Sequence, residues 1–300
     1  MKIPTTQCQL LRSLIQKAIR RNNTEMVEKV FDFLWQDSAQ RQWLKSRIYV
    51  LTLEDCWRFF PYVKPPESKE DLKKQYVALS KVKKYKEVCG LGAVAYRLQD
   101  HTNYDHFFQT LDTKYQVTSH EEYLRIYNEV KSHFLDGYEG LGLGFREQPL
   151  IENFILTSQK KVFLEWDKVF VAAFAYYLYH YKPKPTKFND LVTQDTLDFY
   201  LGLALDKHSK FGRGKISDFI FGQGISFKQF GMMLFYEEGA QIVGDQDPFW
   251  QFEKLFMYKT EKVNQGTLNR FNKILPEWKE LSSFVVKGEL DELNFFEKNT

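Results

Sequence analysis

Apolar residues recur along this chain at the three- and four-residue spacing of amphipathic helices. Residues 8 to 21 place Leu11, Leu14, Ile15, Ala18 and Ile19 on one face, with Arg12, Lys17, Arg20 and Arg21 largely on others, which predicts a helix with a basic side. Met26, Val27, Val30, Phe31, Leu34 and Trp35 predict a second helix packed back on the first, with Thr24 as its N-cap. Trp43, Leu44, Ile48, Leu51 and Cys56 continue the pattern as far as Pro61. Pro65 and Pro66 then close a three-helix start, ahead of a lysine-rich segment over 69–86. Further helices are predicted over 88–98, 104–115 and 121–134, followed by a glycine-rich loop at Gly137, Gly140, Gly142 and Gly144. One or two buried helices are expected in the aromatic stretch 151–181, and shorter ones over 190–205, 227–240, 249–258, 268–275 and 290–297. The 9 prolines punctuate long segments instead of marking a strand-and-turn rhythm, so the expected fold is all-α. We divide it into a helical bundle over 1–100 and a larger helical part over 101–300, or one continuous globular unit.

Composition adds limits. With 300 residues, 43% hydrophobic and 17% aromatic, the chain carries enough apolar surface for one large or two modest cores, which excludes a disordered chain. The net charge of +3 excludes a wholly basic protein, so a nucleic-acid surface has to come from clustering. Cys8, Cys56 and Cys89 are odd in number and widely spaced, and no signal peptide is legible, which points to a reducing cytoplasm. The longest apolar run, 169–178, is too short to span a bilayer, so no membrane partner is expected.

The first third carries a recognisable pattern. Gln16-Lys17-Ala18-Ile19-Arg20-Arg21-Asn22, an apolar helix, Leu44-Lys45-Ser46-Arg47-Ile48, and Leu53-Glu54-Asp55-Cys56 with Pro61 downstream succeed one another. Over residues 8–98 this resembles the C-terminal helical collar of clamp-loader-type AAA+ proteins, closest to that of the replication-associated recombination ATPases. Trp57 stands where that family has glycine, and the ATPase module is missing. Gly222-Gln223-Gly224-Ile225-Ser226-Phe227-Lys228 is not a phosphate-cradling P-loop, so no nucleotide cofactor is expected. The resemblance implies a helical module associated with replication or recombination proteins.

Two groups of residues carry candidate chemistry. Asp206-Lys207-His208-Ser209-Lys210-Phe211-Gly212-Arg213-Gly214-Lys215 gathers an acid, an imidazole and four cations within ten residues. It reads as a loop able to hold phosphate during acid–base work, or alternatively as a helix C-terminus at Leu205 with Gly212 ending the turn. Glu54 and Asp55 are the second pair. Adjacent carboxylates on a helix diverge by about 100°, so a single pocket takes one of them, and an arginine-paired structural role competes with catalysis. The histidines show no zinc-binding spacing, so no metal is expected.

Two functions follow as expectations. The first is an ATP-independent DNA-processing enzyme of the DNA glycosylase type, a hydrolase acting in repair or antiviral defence. Asp206, His208, Glu54 and Asp55 would be its catalytic residues, and Lys17, Arg20, Arg21, Arg47, Lys210, Arg213 and Lys215 would hold DNA. The second is a non-catalytic, clamp-loader-like adaptor that docks on replication or recombination proteins.

Overall fold

The computed structural model describes residues 2–56, 59, 63, 66–84, 197–243, 254–255 and 257–296. Three quarters of what it describes is helical, 75%, and no strand occurs there, as an all-α bundle requires. The helices expected within 88–181, the glycine-rich loop at 137–144 and the thiol of Cys89 lie outside the described residues.

The N-terminal part is built from α1 (Thr5–Arg20), α2 (Thr24–Trp35), α3 (Ser38–Asp55) and α4 (Lys69–Lys81). Their starts follow capping chemistry. Asp37 Oδ1 accepts the Ala39 N–H at 2.8 Å to open α3, and Ser68 Oγ accepts that of Asp71 at 3.0 Å to open α4. At α2 the cap is Asn23, whose Oδ1 accepts the Met26 N–H at 3.0 Å; Thr24, expected in that role, is the first helical residue and bonds Ser80 Oγ on α4 instead. Asn22, just before, turns the chain with a left-handed φ of 56°, which asparagine tolerates better than most residues.

The C-terminal part contributes α5 (Leu197–Ala204), α6 (Lys210–Ile220), α7 (Phe227–Leu234), a π-helical turn at Phe235–Gly239, and the long α8 (Gln265–Asp291). Two expectations change here. The stretch 210–215 is the start of α6, because Ser209 Oγ accepts the Gly212 N–H at 2.8 Å and starts a helix where a loop was expected. The break expected after residue 275 is absent: Pro276 lies inside α8. Pro276 and Asn272 both face solvent, so the Asn272 carbonyl, to which the proline nitrogen has no hydrogen to donate, lies on the side open to water, and the helix continues.

One hydrophobic core runs through both parts. Leu10, Leu11, Leu14, Ile15 and Ala18 of α1 are buried with Val27, Val30 and Phe31 of α2 and Tyr76 of α4, together with Tyr200 of α5, Phe230 of α7 and Trp278 of α8. Each large side chain so buried contributes about 1.5–3 kcal/mol. Since α1 packs on α2, α3 and α4 as well as on α5 and α8, it is the element shared between the two halves.

Candidate functional site

Helix α1 has two different buried stripes. Besides its apolar face it carries Ser13, Gln16, Lys17 and Arg20, spaced three and four apart, so they line up along one side. Lys17 and Arg20 are only 2% and 4% exposed. An isolated buried cation is strongly unfavourable, so each needs polar partners, and both of these meet acids.

On one flank stands Asp206, in the turn between α5 and α6. Its Oδ2 takes the Lys17 ammonium and, at 3.0 Å, the Ser13 hydroxyl. Its Oδ1 accepts the His208 backbone N–H at 2.9 Å and lies 3.2 Å from His208 Nδ1. Burial by itself would raise this carboxyl, but the Lys17 ammonium and His208 outweigh it and hold Asp206 well below the usual carboxylate range. Burial draws the Lys17 ammonium below the ordinary lysine value, while Asp206 acts against that shift. The turn is tight: a side chain on Gly212 would overlap the Asp206 carbonyl, so only glycine fits there.

The other flank is the C-terminal end of α3. Asp55 is fully buried, at 0% exposure, and takes the Arg20 Nε on both oxygens at 2.9 and 3.0 Å. Glu54 Oε2 accepts from Gln16 at 2.6 Å and lies 3.6 Å from Arg20 Nη2, while Oε1 meets Arg47 at 3.3 Å. Arg20 also donates Nη1 to the Gly239 carbonyl at 3.0 Å, and its own carbonyl accepts the Val243 N–H. Within the π-turn the Gly239 carbonyl meets Arg20, while Glu237 meets Lys254 and Tyr258 and Glu238 meets Lys279.

Thus Asp206 stands on one flank of α1 and Glu54 with Asp55 on the other, with Lys17 and Arg20 between them, and His208 is held to Asp206. The remaining cations expected to meet DNA are scattered. Lys17 and Arg20 face the interior, where a phosphate cannot reach them. Arg21 lies over the Phe199 ring at 4.6 Å, and Arg47 is committed to Glu54. Lys210 and Arg213 are exposed on α6, and Lys215 lies 5.5 Å from the Phe211 ring centre. Within the lysine-rich run, Lys69 and Lys73 pair with Asp32. Lys84 is buried, its ammonium bonded to Asn22 Oδ1 at 2.7 Å and to the Val82 carbonyl at 2.6 Å.

Sequence reasoning missed Ser13, Gln16 and the Gly239 carbonyl. The spacing of Ser13 and Gln16 with Lys17 and Arg20 was the available signal, a polar stripe beside an apolar one. A backbone carbonyl leaves no such trace. A cavity of about 10 Å³, enough for one water, is bordered by Asp206, Lys207, Phe235 and Gly239. Among the described residues no three His, Cys, Asp or Glu side chains group as a metal would need, and no helix is long and apolar enough to cross a membrane. Cys8 and Cys56 are buried free thiols.

The fold and site define an all-α protein whose two described parts are joined through a buried charge network on a shared helix. No family model, curated protein or solved structure matches the chain.

Proposed function

We propose that this protein is an ATP-independent, DNA-associated docking module that assembles with replication or recombination proteins without catalysing a reaction of its own. One observation carries this reading: the carboxylates that chemistry would need are each occupied by a cation of α1. Asp206 is taken by Lys17, and Asp55 and Glu54 by Arg20. Groups so engaged lock one part of the fold to the other, and the single-water cavity beside Asp206 is too small for a nucleobase. The resemblance of residues 8–98 to a helical collar supports assembly as the role.

A second reading, the DNA glycosylase-type hydrolase, draws on a different observation. The His208 side chain is 58% exposed while its Nδ1 faces a buried, ionised Asp206, an arrangement in which a carboxylate orients an imidazole for proton transfer. The two readings separate in one assay. The full chain is incubated with normal and modified DNA duplexes, and abasic sites are probed, for the wild type and for His208→Ala, whose exposed ring can be removed without opening the core. The docking reading expects no abasic sites from either protein. Abasic sites made by the wild type and lost in His208→Ala would overturn it.

A further inference from the structure

The far end of the C-terminal part, away from the α1 network in sequence and in bonding, has a different character. Helix α6 stops at Ile220, and Phe221 follows with 90% of its surface exposed, the most exposed of the large apolar residues described. It does not hang on a loose loop. Gly222 and Gly224 adopt left-handed φ values of 78° and 65°, and the Gln223 N–H closes onto the Ile220 carbonyl at 3.0 Å. Arg270 of α8 donates to the Gly224 carbonyl. Gln229 caps its own helix and donates to the Glu261 and Lys262 carbonyls at 3.1 and 3.3 Å, tying in the turn that precedes α8. The phenyl ring is therefore held out on a braced turn.

Cations surround that turn. Lys228, Lys259, Lys262, Arg270 and Lys273 are all exposed, and among the described residues none of them forms an ion pair. Asp218, Glu261 and Glu277 are the acids that border these segments; from 219 to 236 and from 262 to 276 the sequence holds no Asp or Glu. Elsewhere some surface lysines are matched, Lys69 and Lys73 by Asp32, Lys254 by Glu237 and Lys279 by Glu238, while Lys45, Lys74, Lys210 and Lys287, each on a different helix, are exposed without an ion pair among the described residues. A set of exposed cations, none in an ion pair, beside one presented aromatic ring suits a polyanion with flat apolar faces spaced along it. A single ring makes a poor membrane anchor, which draws on a continuous apolar face.

We propose that this end binds single-stranded nucleic acid, Phe221 stacking on a base while Lys228, Arg270, Lys273 and their neighbours contact the flanking phosphates. The proposal rests on the DNA part of the reading above and places that contact on a surface outside residues 8–98.

The test is fluorescence anisotropy of the full chain with a labelled 20-nucleotide single strand, the matching duplex and vesicles containing phosphatidylserine, over a range of salt. Phe221→Ala and the double variant Lys228→Glu with Lys273→Glu are compared with wild type, all with circular dichroism confirming unchanged folding. Base stacking is worth about 1–3 kcal/mol, so Phe221→Ala should weaken single-strand binding about tenfold and leave the salt dependence unchanged. The charge-reversal pair should weaken binding and flatten its dependence on salt. Single-strand binding that Phe221→Ala leaves intact would overturn this site while sparing the DNA reading. Absence of binding to either nucleic acid would overturn both, and binding to vesicles in preference to the oligonucleotides would overturn the choice of partner.

Discussion

The α1 network and the Phe221 end use the same residue types to opposite effect. Around α1, Lys17 and Arg20 are buried and Asp206, Asp55 and Glu54 stand against them; around Phe221, five cations remain in solvent without acidic partners. Solvent access is the difference. Removing an ion from water costs several kcal/mol, so a buried cationic side chain persists only where polar groups are built to meet it, carboxylates at Lys17 and Arg20, and an amide oxygen with backbone carbonyls at Lys84. A surface cation carries no such penalty and stays free to meet an external anion. Buried, matched charge therefore marks where the molecule holds itself together, while exposed cations such as those near Phe221 remain available to an external anion.

The contrast is broken most severely at Arg20. Arg20→Ala strands the fully buried Asp55 and leaves Glu54 and the Gly239 carbonyl without their shared donor; it should cost about 3–5 kcal/mol in urea unfolding, or prevent folding. A loss under about 1 kcal/mol would show that the network does not join the two parts. Gly212→Ala is next: the added methyl meets the Asp206 carbonyl, and a loss of about 1–3 kcal/mol is expected from thermal or urea unfolding, although alanine is the better helix former.

Acid sharpens the comparison without a mutation. The Asp206 carboxyl is held below its unfolded value, so the stability it contributes is complete at neutral pH. That contribution declines as pH falls through the ordinary carboxylate range near about 4, and is lost below the folded value. Urea midpoints measured between about pH 7 and 3 should fall on the acid side, and Asp206→Asn should flatten that limb while lowering stability at pH 7. An unchanged acid limb in the variant would place the sensitivity in other carboxylates. At the mild end, Asp32→Asn removes a surface pairing with Lys69 and Lys73 and should change stability by under about 1 kcal/mol. Phe221→Ala should move the unfolding midpoint least of all, by under about 0.5 kcal/mol, since its ring touches so little of the fold.

Much of the architecture was legible in the sequence. The apolar spacing placed α1, α2 and α3 to within a few residues, because each of these helices buries an apolar stripe and that stripe is written directly in the residue order. Pro276 misled because a proline is a local signal, and whether it ends a helix depends on how the neighbouring carbonyl is solvated. The 206–215 segment misled for a related reason: its glycines suggested a loop, but Ser209 caps a helix through it, and Gly212 is required by the closeness of the Asp206 carbonyl.

The candidate site divides the same way. Residue types alone singled out Asp206, His208, Glu54 and Asp55; Asp206 bonds α1 on one flank, Glu54 and Asp55 on the other, and His208 touches Asp206 without an α1 contact of its own. Which side of α1 faced water was not written there. Lys17 and Arg20 belong to a run of basic residues that any helical wheel places at a surface, and only the arrival of α3 on one flank and the 206–208 turn on the other buries them. Helix periodicity is a property of neighbours in sequence, so the chain by itself determined the helices and their apolar faces. Desolvation and charge pairing depend on neighbours distant in sequence, Asp206 lying 189 positions from Lys17, so the tertiary structure decided which charges hold the fold and which remain exposed.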